Sequence, residues 1–255
     1  MTYNVHSCVG TDGDRSLARI AQVISDARAD VVALQELDHQ RVRSQLTHQA
    51  EALARELSMD FHFHPALRIA DEEYGDAILS RHALEMIHAA ELPGVAPRWC
   101  REARGALWVT LPAEGTAWQI INTHFGLGRA ERFDQARALL GDDWIRAAEM
   151  RGPVIVCGDF NSQAGGRVQR LLASRLKDAQ GTRHRSTFPS RFPLLCLDYI
   201  FVGRGVRVNS VEIVRNSLTR VASDHLPLVA DVEMEPITIT RAEPAGAVPL
   251  RASAG

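Results

Sequence analysis

Residues 153–161, Pro-Val-Ile-Val-Cys-Gly-Asp-Phe-Asn, constrain this chain more than any other stretch. A short apolar run that starts after Pro153 and stops at Gly158 reads as a buried strand, and its end presents Asp159 and Asn161. The carboxylate there could orient a water or hold a hard cation, and the amide could donate to a phosphoryl oxygen. Asp and Asn are equally at home as plain turn residues after a strand, so the stretch takes its meaning from the rest of the chain.

Other apolar runs end in the same manner. Residues 1–6 form a first strand with Asn4 at its end, followed by a turn through Gly10 and Gly13. Leu17, Ile20, Ile24 and Ala27 fall at helical spacing over about 15–28, and the next buried strand, from Asp30, closes with Gln35 and Glu36. Leu46, Ala50, Leu53 and Leu57 mark a second helix, with strands near 59–65, 75–80 and 84–91. A polar approach containing Arg101 and Arg104 leads to a further strand, and the run from Trp118 delivers His124. Taken alone, that imidazole would serve as well as a hydrogen-bonded core histidine. Ala130, Phe133, Ala136, Leu140, Trp144 and Ala148 predict one long amphipathic helix, and residues 166–176 a short one. Asp198 opens a strand, another follows near 206–214, and Asp224-His225 directly precedes the last. From 236 onward Pro, Ala and Gly replace the core pattern, so a single domain over 1–235 and a mobile tail over 236–255 are expected.

The chain has 255 residues, 45% of them hydrophobic, enough for one domain with an ample core. No run approaches the roughly 18 apolar residues of a membrane span, and no basic-then-apolar leader opens the chain, which points to a cytoplasmic location. Cys8, Cys100, Cys157 and Cys196 lack paired spacing, so reduced, buried thiols are expected rather than disulfides or zinc. A net charge of −2 lacks the basic balance of a sequence-specific DNA-binding module. The cations are nearly all arginine, which suits forked recognition of phosphate. Between 167 and 191, Arg167, Arg170, Arg175, Lys177, Arg183, His184, Arg185 and Arg191 read either as a solvated basic face or as a phosphate-backbone track.

Asn4, Gln35-Glu36, Asn122-Thr123-His124, Gly158-Asp159-Phe160-Asn161, Leu197-Asp198-Tyr199 and Ser223-Asp224-His225 occur in the order and rough spacing of one superfamily. Over residues 2–233 the chain resembles the endonuclease/exonuclease/phosphatase (DNase I-like) proteins, and within them the small bacterial metal-dependent hydrolases. The resemblance implies an α/β fold, a four-layered α/β/β/α sandwich of two mixed β-sheets face to face with helices outside. It further implies Mg²⁺, with Mn²⁺ able to substitute, held by Glu36 with Asn4 and Asp224. Asp159 matches the residue that orients or deprotonates the attacking water, and Asn161 the amide that holds the phosphate. His225 matches the imidazole at the scissile phosphate, Asp198 its carboxylate partner, and His124 a second histidine on the phosphate side. Arg104 is a further phosphate-binding candidate, with Arg101 as its alternative. Tyr74 and Asp76 stand where related proteins often carry Gly-Asn, so Asp76 departs from the pattern and receives no role.

The residue chemistry agrees. Phosphoester cleavage builds charge on phosphoryl oxygens, and a hard cation prefers the carboxylate and amide oxygens this chain offers. An imidazole coupled to a carboxylate, as His225 to Asp198, favours its cationic form. The expected activity is a metal-dependent phosphodiesterase with nucleic acid as first substrate and no obligate protein partner. A phosphatase or a phospholipid or sphingomyelin phosphodiesterase uses the same chemistry, and a non-catalytic scaffold is the rival from another class.

Overall fold

The computed structural model describes residues 1–94, 102–113 and 115–235. Arg101, Cys100 and the expected tail lie outside them. Among the described residues, twelve strands form two six-stranded sheets. The first runs β11 (Val206–Ile213), β12 (Leu228–Met234), β1 (Thr2–Asn4), β2 (Val31–His39), β4 (Glu72–Ser80), β3 (Asp60–Ile69). The second runs β5 (Glu85–Glu91), β6 (Gly105–Ala113), β7 (Thr116–His124), β8 (Val154–Asp159), β10 (Asp198–Val202), β9 (Lys177–Asp178). Only β1–β2 and β7–β8 pair in parallel, so both sheets are mixed. Each parallel pair needs a crossover. Helix α1 (Leu17–Ala27) supplies the first, and α3 (Arg129–Leu139) with α4 (Ile145–Glu149) the second. Both pairs therefore send their carboxyl ends the same way along their sheets, the place where α/β sheets carry their chemistry.

Period-two alternation builds the four layers. In β8, Val154 and Val156 face α3, α4 and α5 (Arg167–Ala173), while Ile155 and Cys157 face the opposite sheet. In β2, Val32 and Leu34 pack on α1 and α2 (Gln49–Leu57), while Ala33 points between the sheets. Ile78 of β4 meets Leu107, Val109 and Ile120 across the gap. The result is an α/β/β/α sandwich whose inner core is mainly aliphatic, with Trp118 packed against it, and whose outer cores hold the phenylalanine and tyrosine rings. Each such side chain contributes roughly 1.5–3 kcal/mol on burial.

Three expected boundaries move. The long helix over 130–148 is broken: α3 stops at Leu139, Gly141 N–H donates to Ala138 O at 2.9 Å, and α4 restarts at Ile145. A Cβ on Gly141 would stand 2.9 Å from that same carbonyl, and the break turns Trp144 into the core. Leu46 does not belong to α2; it takes φ 58° and stays exposed, and the helix begins after His48, whose Nδ1 accepts from Glu51 N–H at 3.3 Å. Glu36 does not end its strand. Strand β2 runs on to His39 through a one-residue bulge.

Candidate active site

The bulge in β2 is the first device that builds the site. Leu34 pairs with Ala77 but Leu37 pairs with Gly75, so three steps on β2 match two on β4, and Glu36 takes φ 66°. A bulge re-aims a side chain. Here it turns Glu36 into a cleft of about 730 Å³ at the carboxyl ends of the parallel pairs. The second device is Gly158, at φ 148°, where a Cβ would lie 1.9 Å from Thr123 O. Its absence lets β7 and β8 close up and sets His124 opposite Asp159 in register. Phe160 turns the other way, against Phe125 and Phe201 at ring-centroid distances of 4.9 and 5.4 Å, which leaves Asp159 and Asn161 on the cleft side.

Nine residues singled out in the sequence meet here, four from the first sheet and five from the second. Asn4 Nδ2 donates to Glu36 Oε1 at 2.8 Å and to Asp159 Oδ2 at 3.1 Å, while Asn4 Oδ1 accepts from His6 N–H at 3.0 Å. That backbone donor fixes the amide's orientation, so Asn4 meets both carboxylates as a donor. Asp159 Oδ1 accepts from Asn161 N–H at 2.8 Å, and Asn161 Nδ2 donates to Phe125 O at 2.9 Å. Ser223 Oγ donates to Asn4 O at 2.8 Å and ties the Asp224-His225 pair to the first strand. Asp224 is the outlying member; its nearest side-chain partner across the cleft is the His6 imidazole, 4.0 Å away.

Two imidazoles flank Asp159. His124 Nε2 lies 3.5 Å from Asp159 Oδ2 and His225 Nε2 3.6 Å from the same oxygen. Their other nitrogens differ. His225 Nδ1 donates to Asp198 Oδ2 at 2.9 Å, whereas His124 Nδ1 faces Arg104 Nη1 at 2.9 Å. A guanidinium only donates, so a neutral His124 accepts on Nδ1 and carries its proton on Nε2, which faces Asp159 and also lies 3.1 Å from Asn161 Nδ2, whose own hydrogen bond goes to Phe125 O. Burial, and after it the Arg104 charge, hold the His124 pKa well below the usual imidazole value. Burial works against charging His225 too, but Asp198 and then Asp159 outweigh it and raise its pKa to about 10. Burial also lifts Asp159 above the ordinary carboxylate range, partly offset by the His225 charge and by the N–H groups of Asn161 and Asn4. A carboxyl group lifted in this way is suited to exchange a proton near neutrality.

The oxygen donors suit a hard divalent cation. Glu36 and Asp159 converge on one amide nitrogen, and the Glu36 and Asp224 side chains are 21% and 35% exposed, open to a ligand. Asp159, Asp198 and His225 also place ligand atoms within 4.8 Å of one another. Asp198 is fully buried and bonded to His225, however, so that trio is better read as a hydrogen-bonded relay than as the place for an ion.

Several cleft residues were not singled out in the sequence. Glu102 bonds Arg104 Nη2 at 2.7 Å, Phe188 packs on the His225 ring at 4.8 Å, and His6, Arg15, Arg43 and Arg132 line the walls. Tyr74 lines it as well, and Asp76, buried beside Glu36, has its pKa raised to about 8 by burial. His6 and Glu102, each two residues from an identified site residue, were the available signal. The 167–191 arginines form no track into the cleft. Arg175 pairs with Glu149 at 3.0 Å beside the start of β8, Arg183 and Arg185 lie along β11, and Arg191 bonds Thr11.

Residues 1–225 match the Endonuclease/Exonuclease/phosphatase family. The chain is 28% identical over 249 residues to Escherichia coli YbhP, covering 92% of this chain and 95% of that protein. An endonuclease/exonuclease/phosphatase from Bacteroides vulgatus superposes with TM-score 0.72 at 24% identity, covering 92% and 97%. A mannosyl-6-phosphatase of Bacteroides thetaiotaomicron gives 0.70 at 18%, covering 91% and 98%. With the family matched over most of its length and the sandwich and cleft in place, the chain belongs to the endonuclease/exonuclease/phosphatase family, enzymes that hydrolyse phosphoester bonds.

Proposed function

We propose that this enzyme is a Mg²⁺-dependent phosphodiesterase. The observation that carries the reading is Asp159 set between two imidazoles, one backed by a carboxylate and the other by a guanidinium, with Glu36 beside it. Glu36, with Asp224, would hold the cation, which when bound neutralises charge at the phosphoryl oxygens, while Asn4, whose amide nitrogen faces both carboxylates, orients Glu36 and Asp159 rather than ligating the ion as expected from the sequence. Asp159 takes the proton of the attacking water. Cationic His225, steadied by Asp198, lies against a phosphoryl oxygen, and Asn161 supplies a second contact. His124, neutral and backed by a guanidinium, donates a hydrogen bond from Nε2 without giving up its proton. Arg104 is thereby a positioning residue for His124 rather than a direct phosphate ligand.

A diester is favoured over a monoester by charge. Glu36, Glu102, Asp159 and Asp224 all line the cleft, and of its arginines Arg15 and Arg43 pair with Asp38 and Arg104 is committed to Glu102 and His124, which leaves Arg132 as the cation without an acidic partner among the described residues. A singly charged diester meets less repulsion there than a doubly charged monoester. The test is hydrolysis of bis(p-nitrophenyl) phosphate and p-nitrophenyl phosphate with Mg²⁺, Mn²⁺ or EDTA, for wild type, Glu36→Gln and His225→Ala. Diester cleavage that EDTA abolishes and both variants lose is the expected outcome; undiminished turnover in both variants would overturn the site assignment.

A further inference from the structure

Gln35 and Asn122 stand in the same sequence motifs as Glu36 and His124, yet neither lines the cleft. Both are fully buried in the gap between the two sheets, where an amide is costly unless it is hydrogen-bonded. Asn122 Nδ2 donates to Leu34 O and to Ala77 O, each at 2.9 Å. Its Oδ1 accepts from Gln35 Nε2 at 2.7 Å, and that nitrogen also donates to Thr2 Oγ1 at 3.1 Å. One side chain of β7 is thereby joined to three strands of the facing sheet, β1, β2 and β4.

The link sits where β2 changes face. Leu34 and Ala77 are the last regular pair before the bulge. Leu34 and Leu37, three residues apart, both pack into the outer core, whereas an unbroken strand would send residues 34 and 36 to that side. Closing the bulge would restore strict alternation and turn Glu36 out of the cleft, toward the helices. The two carbonyls that Asn122 clasps belong to the two strands that would have to shift, so the amide holds their register from the opposite sheet. Asn122 and His124 share one face of β7, and the strand reaches across twice: Asn122 bonds Leu34 O, and His124 Nε2 stands 3.9 Å from Glu36 Oε1.

The orientation of both amides is dictated. A carbonyl only accepts, so Asn122 must present Nδ2 to Leu34 and Ala77 and Oδ1 to Gln35, and Gln35 must answer with Nε2. Gln35 Oε1 is left without a hydrogen-bond partner among the described residues. An apolar pair of the same size would fill the gap with no orphaned acceptor; what the amides add is a fixed geometry.

We propose that Asn122 and Gln35 are positioning residues for Glu36: their link across the sheets fixes the β2 bulge and thereby sets the affinity of the cleft for its divalent cation. This rests on the reading of Glu36 as a cation ligand.

The test is Mn²⁺ binding to the full-length protein without substrate, read from the free-ion signal in electron paramagnetic resonance, with the thermal midpoint recorded alongside. The variants are Gln35→Met, Asn122→Leu, Glu36→Gln and Ile200→Val, the last an apolar member of the same inter-sheet gap that makes none of these hydrogen bonds. Gln35→Met and Asn122→Leu are each expected to raise the Mn²⁺ Kd on the order of tenfold, as loss of a residue that orients a metal ligand does, while Ile200→Val leaves it unchanged. At saturating Mn²⁺, kcat on bis(p-nitrophenyl) phosphate should fall by less than the affinity does. Wild-type affinity in both amide variants, with Glu36→Gln weakened, overturns the positioning role. An equal loss of affinity in Ile200→Val overturns it too, by making the effect one of stability. If Asn122→Leu does not fold, Gln35→Met, which keeps both donors of Asn122, decides alone. Unweakened Mn²⁺ binding by Glu36→Gln overturns instead the reading of Glu36 as a cation ligand, and this inference with it.

Discussion

The two imidazoles beside Asp159 are nearly equal in burial and in distance to its Oδ2, yet they hold opposite charge states. His124 comes from the second sheet and has a guanidinium behind it; His225 comes from the first and has a carboxylate. Burial pushes both toward neutrality, so the difference is made chiefly by the partner on the far nitrogen, with Asp159 adding to the charge of His225 and that charge in turn opposing one on His124. The lesson is that in a dry site the residue behind a catalytic group decides what that group can do.

Removing the residue both imidazoles share should have the largest effect. Asp159→Asn is expected to lower kcat on the diester on the order of 10³–10⁴-fold, measured at saturating substrate. Asp198→Asn comes next, at about 10²–10³-fold, because His225 would then lose its cation near neutrality; the alkaline limb of the pH–rate profile should also move to lower pH.

Arg104→Gln sharpens the contrast from the other side. The expected loss is about tenfold in kcat with KM little changed, since the guanidinium acts through His124. A rise in KM at unchanged kcat would instead make Arg104 a phosphate ligand and break the comparison.

The smallest effect concerns protonation itself. His64, buried beside β6, is held below the usual imidazole pKa chiefly by its burial, and so shows what a dry environment does without a carboxylate neighbour in bonding range. In a pH titration followed by NMR, His64 and His124 should stay neutral below pH 6.5, where free imidazole charges, while His225 should hold its proton to about pH 10. The stability signs follow. His225 contributes stability that is whole below pH 6.5 and lost as pH rises through about 10, whereas the unfolded chain protonates His64 and His124 first, so they cost stability as pH falls below 6.5. His64→Phe should flatten part of that acid-side fall in thermal midpoint.

Much of the site was legible because its residues stand at the ends of apolar runs, and such ends can be read from composition alone. Asn4, His124, Asp159 and Asp198 all lie where a strand ends or begins. Glu36 was found for a reason that was only half right: the bulge that aims it depends on pairing with β4, which no local pattern records. The Arg104–His124 contact spans two strands and the orientation of Asn4 depends on a backbone N–H, so both belong to the tertiary structure. Of the two readings of the 167–191 cations the solvated face fits better, for Lys177, Arg183 and Arg185 gather along β11 and Arg175 beside Glu149, and none of these lines the cleft. The interrupted helix escaped because Trp144 fits a helical stripe as well as it fits the core it actually enters.

The hydrogen bond from Ser223 Oγ to Asn4 O spans 219 residues and locks the last-made part of the site to the first. On the ribosome, β1, β2, β4 and β3 can pair before β11 and β12 are made, and so can β7 and β8. A nascent chain that stops short of Ser223 holds no His225 opposite Asp159, so however far the two sheets have formed, the site is complete only once that stretch has been made.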